Sequence, residues 1–292
     1  LTNDFEYFEP ATISDAIKLL DKYGEEAKLL AGGTDLLVDM KGGNIKPKYL
    51  INIMKIPELN YIIEDGEDLK IGAGTTFREI EESKVVREKF NVIMAAVKSL
   101  GTVQVRNMAT IGGNICNALP SADTPPAILV LDARVKVVGK NGERVMPLED
   151  FFSGVRKTRL AHGELLKEIN VKRPPARSGT AFIKLSKTAE DLATLNAAAR
   201  VTLADNGKCV EARVVLGGGV GPSLIRSKEA EKFLEGKTLD EATAKEAAEI
   251  TCSRIEGRTS SIRASPYYKV EVGKVLVRRA LLKALENAKG GS

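Results

Sequence analysis

Apolar positions recur at helical spacing at Ile13, Ala16, Ile17 and Leu20, behind the capping pattern Thr12-Ile13-Ser14-Asp15 and ahead of Gly24 as a stop. This predicts a helix with one buried face. Lys28–Ala31 reads as a short buried strand running straight into Gly32-Gly33, and Tyr49–Ile53 as a second strand. Tyr61–Ile63 and Leu69–Ala73 flank Asp65-Gly66, while Arg134–Gly139 and Arg144–Met146 flank Asn141-Gly142, so each set predicts a hairpin. Thr76–Ser83 and Asn91–Lys98 carry helical patterns. The first half is thus mixed α and β, with short strands and several glycine breaks.

Pro174-Pro175 marks a boundary, which predicts a first domain over 1–173, with subdomains about 1–55 and 56–173, and a second over 174–292. Beyond it Ala181–Leu185, Leu195–Ala204 and Cys209–Leu216 read as strands, with Asp205-Asn206-Gly207-Lys208 as a tight hairpin between the last two. Helices follow at Ser227–Leu234, Leu239–Thr251 and Pro266–Asn287. Strands first and helices after predict a separate α+β unit, a three-stranded antiparallel sheet covered by helices. Gly217-Gly218-Gly219-Val220-Gly221 reads as a wide turn, and Lys289–Ser292 as a frayed end.

Composition changes this picture little. Among 292 residues, 43% are hydrophobic and 28% charged, the profile of a globular chain rather than a disordered or fibrous one. The net charge of +5 is spread among interleaved acids, with no basic stripe, so nucleic acid is not an expected partner. Apolar runs such as Ala127–Leu131 are too short to cross a membrane, and Asp4 and Glu6 oppose a signal-peptide reading, so a cytoplasmic location is expected. Cys116, Cys209 and Cys252 are widely separated, which encodes neither a disulfide framework nor an iron–sulfur or zinc site. His162, the single histidine, falls in a polar stretch that reads as surface loop. Ser-His-Asp or Cys-His chemistry is therefore not expected.

The chemistry concentrates in two glycine pairs. Leu29-Leu30-Ala31-Gly32-Gly33-Thr34-Asp35-Leu36 and Ala109-Thr110-Ile111-Gly112-Gly113-Asn114 each place Gly-Gly directly after apolar residues. Bare backbone N–H groups there can converge on an oxyanion. Either pair alone reads better as a tight turn; two together suit a pyrophosphate. No G-x-G-x-x-G opens a helix, and no Gly-Lys-Ser/Thr is present. Residues alone stop at a phosphorylated small molecule.

At these loops the chain resembles the FAD-binding subunit of the molybdenum hydroxylases, a family that includes the carbon monoxide dehydrogenase medium subunit and the flavoprotein parts of nicotinate and xanthine dehydrogenases. The resemblance rests on Ala31–Leu36, Thr110–Ile115, Ala118–Pro126, Ile56–Leu59, Ile71–Gly74 and Lys184…Asp191-Leu192-Ala193, in order along nearly the whole chain. It implies a two-subdomain FAD-binding fold of the vanillyl-alcohol-oxidase/molybdenum-hydroxylase type, plus a C-terminal α+β domain. It further implies that the backbones of Leu29–Leu36 and Thr110–Asn114 hold the pyrophosphate, and that Asp123 accepts hydrogen bonds from ribose or ribityl hydroxyls. By the same resemblance Leu100 and Leu166 flank the cofactor, Lys184 reaches the flavin from the second domain, and Asp191 and Leu192 approach the ring.

A non-covalent FAD and no catalytic acid or base are then expected, with [2Fe–2S] centres and molybdopterin only on partner subunits. Those partners are a small iron–sulfur subunit and a large molybdopterin subunit, in a dimer of heterotrimers or related assembly. The chain departs from the carbon monoxide dehydrogenase type at Thr34-Asp35, where that type tends to have His-Ser, and it lacks the inserted cysteine cluster of the hydroxybenzoyl-CoA reductases. The rival readings are a stand-alone flavoenzyme of the same fold and a nucleotide-binding scaffold without flavin.

Overall fold

The computed structural model describes residues 4–255 and 263–290. Three sheets organise them. The first is parallel, in the order β1-β3-β2, from β1 (Glu6–Phe8), β2 (Ala27–Leu30) and β3 (Tyr49–Asn52). Helix α1 (Ile13–Tyr23) covers it with the predicted face, burying Ile13, Ala16, Ile17 and Leu20. Thr12 caps this helix by accepting from the Asp15 N–H at 3.1 Å, and Gly24 stops it at φ +61°. Strand β1 escapes the periodicity reading because three residues pairing with a strand more than forty positions on leave no local pattern.

The second sheet is antiparallel, in the order β4-β5-β10-β6-β7. Its outer pairs are the two predicted hairpins, β4 (Ile62–Asp65) with β5 (Asp68–Gly72), and β6 (Arg134–Gly139) with β7 (Gly142–Pro147). The central β10 (Leu165–Lys172) pairs with β5 and β6 and went unread, because Glu168 and Asn170 interrupt its apolar run. Glu168 is buried there by accepting from the Tyr61 hydroxyl at 2.7 Å and pairing with Lys136 at 3.3 Å.

Helices α3 (Phe77–Glu82), α4 (Lys84–Lys89), α5 (Asn91–Lys98), α6 (Val103–Met108), α7 (Ile111–Asn117) and α8 (Thr124–Leu129) lie between the hairpins in sequence. They help form the largest core, around Phe77, Ile80, Ile93, Ile111 and Phe151, with each such side chain worth roughly 1.5–3 kcal/mol on burial. A one-turn α9 (Leu148–Phe151) leads into a two-stranded ribbon of β8 (Phe152–Gly154) and β9 (Lys157–Thr158).

The third sheet runs β11-β12-β13-β14, from β11 (Ser178–Leu185), β12 (Leu195–Leu203), β13 (Cys209–Gly217) and β14 (Ile225–Arg226). The predicted three strands are present, and the two-residue β14 makes a fourth. Helices α10 (Lys228–Leu234), α11 (Glu241–Cys252) and α12 (Pro266–Gly290) complete this unit. Helix α12 runs through Lys289 and Gly290, where fraying was expected; Gly291 and Ser292 lie outside the described residues.

Every residue of β12 is buried. Its Ala197, Ala198 and Ala199 are small enough for layers on both faces: Ala198 joins the core of the second sheet and Ala197 and Ala199 the core under α12. The two units are further tied by ion pairs, Asp132 binding Arg200 at 3.0 Å and Arg213 at 2.8 Å.

Candidate functional site

A cavity of about 750 Å³ opens where β2, both glycine segments, β10 and the β11–β12 loop meet. That volume lies within the roughly 300–1,000 Å³ of small-molecule and cofactor sites. Of the residues singled out from sequence, Leu29, Ala31, Gly32, Gly33, Thr34, Asp35 and Leu36 line it, as do Leu100, Thr110, Gly112, Gly113, Asn114, Asp123, Leu166, Asp191 and Leu192. Leu30, Ile111 and Lys184 are not in its wall. Ile111 is instead wholly buried in the core beside Phe77.

The first glycine segment forms an open turn between β2 and α2 (Leu36–Lys41). Among the described residues, no acceptor within the protein is bonded to the N–H groups of Gly32, Gly33, Thr34 or Asp35. Gly33 sits at φ +72°, in the left-handed region. Gly32 is glycine for another reason, since a Cβ there would lie 1.8 Å from the Met108 carbonyl oxygen. The result is a run of four backbone N–H groups without a protein acceptor, in residues that line the cavity, and such donors can take an anion.

The second segment differs from the expected strand-end loop. Thr110 is the N-cap of α7, and Ile111–Asn114 are that helix's first turn. Its donors are spent: Ile111 N–H on the Thr75 carbonyl at 3.0 Å, Gly112 N–H on Ala73 at 2.9 Å and Gly113 N–H on the Thr110 hydroxyl at 3.1 Å. The Asn114 N–H likewise reaches the Thr110 carbonyl at 3.0 Å. Unpaired backbone donors therefore belong to the first segment only. What the second offers is a side chain: Thr124 donates to Asn114 Oδ1 at 2.6 Å, and the amide NH2 has no acceptor among the described residues.

Asp123 and Lys184 meet. The Lys184 ammonium donates to Asp123 Oδ2 at 2.7 Å and to the Ser99 carbonyl at 2.8 Å, and both side chains are almost fully buried. Asn196 Nδ2 donates to Asp123 Oδ1 at 3.2 Å. Burial pushes the Asp123 carboxyl above its usual range, against the opposing hydrogen bonds and charge of Lys184 and Asn196. Burial likewise raises Asp35, opposed by the charge of Arg156 and a hydrogen bond from Asn117.

Several wall residues carried no sequence signal. Arg156, left-handed at φ +54° in the β8–β9 turn, donates its N–H to Ala118 at 3.0 Å and pairs with Asp39 at 2.5 Å. Partners so distant along the chain are invisible to periodicity. His162 is an exposed loop residue, as expected, but also lines the cavity. Cys116 lines it too, and burial pushes its thiol up to about 12, so it stays protonated. Among the described residues no group of His, Cys, Asp and Glu could hold a metal ion, and no helix is long and apolar enough to cross a membrane.

An α+β fold with a cavity of cofactor size and a run of unbonded backbone donors suits a protein that holds a phosphorylated cofactor. Known proteins say which. The family described as the FAD binding domain in molybdopterin dehydrogenase matches residues 3–174, and the CO dehydrogenase flavoprotein C-terminal domain matches residues 180–284. The carbon monoxide dehydrogenase medium chain of Afipia carboxidovorans is 34% identical over 99% of both chains. The xanthine dehydrogenase FAD-binding subunit of Escherichia coli O157:H7 is 33% identical over 97% of both. The solved carbon monoxide dehydrogenase of Hydrogenophaga pseudoflava superposes with a TM-score of 0.95 at 33% identity, covering 98% of this chain and 99% of that one. The chain belongs to the molybdenum hydroxylase flavoprotein family, as an FAD-binding subunit of an oxidoreductase.

Proposed function

We propose that this chain holds FAD non-covalently and works beside a small iron–sulfur subunit and a large molybdopterin subunit in a dimer of heterotrimers or related assembly. The observation that carries the reading is the row of unbonded N–H groups from Gly32 to Asp35 on a cavity of cofactor size. When bound, FAD supplies the redox chemistry that links partner iron–sulfur centres to an external acceptor.

The chain's own residues bind and orient. The first segment, Leu29–Leu36, receives the diphosphate on its free donors, since charge-assisted N–H bonds to phosphate are the stronger kind. Thr110–Asn114 lies beside it, with the Asn114 amide as its donor. Asp123 accepts from sugar or ribityl hydroxyls, Leu100 and Leu166 supply apolar contact, and Asp191 and Leu192 close the ring end. Among the described residues, no wall residue is hydrogen-bonded as a nucleophile to its base, which suits a subunit that tunes and positions its cofactor. Cys116, Cys209 and Cys252 are all free, which suits a reducing compartment, and we assign the chain to the cytoplasm.

The visible spectrum of the natively purified protein, before and after acid precipitation, tests this. Flavin bands that move to the supernatant, with one larger and one smaller chain co-purifying, are expected. A colourless protein that cannot be reconstituted with FAD would refute it.

A further inference from the structure

Carboxylates outnumber cations along the cavity, where among the described residues only Lys28 and Arg156 carry a fixed positive charge. That is a poor setting for a diphosphate, and two of the acids stand next to the free donors. Asp35 supplies the last N–H of the run, and Asp39 sits one helical turn on, its N–H bonded to the Asp35 carbonyl at 3.0 Å. Both line the cavity. The hydrogen bond from Arg156 holds the Asp39 carboxyl below its usual range, so Asp39 is ionised at neutral pH.

Arg156 reaches these acids from the β8–β9 turn. Its Nη1 donates to Asp39 Oδ2 at 2.5 Å, and its charge also opposes the effect of burial on Asp35. The backbone under it is strained: φ is +54°, a conformation glycine adopts without the cost that a Cβ brings. The Arg156 N–H donates to the carbonyl of Ala118, which caps α7 and is itself left-handed at φ +47°. Arg156 thus holds the helix that begins in the second glycine segment through its backbone, and the helix that follows the first through its side chain. Strain kept at a cavity wall, under a side chain spent on a carboxylate, points to a use for that charge.

We infer that Arg156 is a positioning residue of the diphosphate site: it neutralises Asp39 and offsets Asp35, so that the N–H groups of Gly32–Asp35 meet the anion without two opposing carboxylates. It acts through those carboxylates and is not itself a phosphate ligand; its guanidinium stays on Asp39 when the cofactor binds. This rests on the FAD reading above and names what that site needs besides donors.

The test is a double-mutant cycle on the full-length chain stripped of FAD, with Arg156→Gln, Asp39→Asn and the pair. FAD affinity is read by quenching of flavin fluorescence at low and high ionic strength, and folding by thermal melting. Arg156→Gln should weaken FAD about tenfold or more at low salt, the size of one or two like-charge contacts at a partly exposed site. The loss should shrink at high salt, which screens repulsion between carboxylate and diphosphate. Asp39→Asn alone should hold FAD at least as tightly as the native chain. The pair should return to within about threefold of native, because the charge that needed Arg156 is gone. A pair as weak as Arg156→Gln alone would overturn the inference, since Arg156 would then bind phosphate itself.

Should Arg156→Gln not fold, Arg156→Gly replaces it, being suited to φ +54°. A loss of affinity in that variant that Asp39→Asn repairs would support the inference, and a folded Arg156→Gly that binds FAD like the native chain would contradict it. A native chain that binds no FAD would bring down the functional reading itself, an outcome separate from the others.

Discussion

Two neighbouring segments that line one cavity carry the same Gly-Gly pair, and they use it in opposite ways. At Gly32-Gly33 the pair opens the backbone, leaving four successive N–H groups without acceptors among the described residues. At Gly112-Gly113 it closes the backbone, with each donor from Ile111 to Asn114 already bonded within the protein. Gly112 is glycine because the Ala73 carbonyl oxygen would lie 2.5 Å from its Cβ. One segment presents donors. The other lets a helix start against a strand end, and lends the cavity its shape and the Asn114 side chain. A glycine pair thus marks close backbone approach, and only the local hydrogen-bond account tells whether a ligand or the protein itself makes that approach.

The comparison can be broken most forcefully at the packing glycines. Gly32→Val and Gly112→Val drive side chains into backbone of Met108 and Ala73, so each should destabilise the fold by about 3 kcal/mol or more, read as the loss of a cooperative thermal transition. Gly113→Val separates shape from stability. Its Cβ meets the Thr110 hydroxyl at 3.0 Å and otherwise only Ala31 at 4.0 Å, so the chain should still fold while FAD retention is lost to occupied space. Normal flavin content in that variant would remove the second segment from the site.

Smaller changes sharpen the contrast. Gly33→Ala forces an L-residue to φ +72° against the Leu37 and Leu30 side chains, for about 1–2 kcal/mol by chemical denaturation, together with weaker FAD binding from a distorted donor row. Thr110→Ala removes the α7 cap and should cost about 1 kcal/mol of stability, with a smaller effect on FAD than Gly33→Ala.

The smallest effect is at Asp35, whose carboxyl burial holds above the ordinary 3.8. A raised carboxyl pKa means the ionised form weakens the folded state once the pH exceeds the unfolded value. Asp35→Asn should therefore stabilise the chain at neutral pH and lose that advantage as the pH falls through the raised value toward 3.8. Urea titrations at several pH values would show it, and an advantage that grew toward acid would contradict the assignment.

Much of this architecture was legible where information is local. Helix α1 announced itself through a cap, a stop and one apolar face, and the hairpins through Asn141-Gly142 and Asp205–Lys208. The first glycine segment was legible as a donor loop for the same reason. Unread were features decided by distant partners. β1 exists only against β3, and α7 starts where it does because Thr110 bridges to Thr76 across the sheet end. Glycines at a helix start oppose helix propensity, so nothing in 110–114 itself discloses the helix. Lys184 is sixty-one residues from Asp123, and no spacing rule connects them.

Backbone hydrogen–deuterium exchange on the FAD-free chain, repeated with FAD bound, tests the division of labour most directly. Amides of Gly32–Asp35 should exchange fast without FAD and become strongly protected with it, while those of Ile111–Asn114 should be slow in both states. Protection of Gly32–Asp35 before FAD is added, or an FAD-dependent change confined to Ile111–Asn114, would contradict the account.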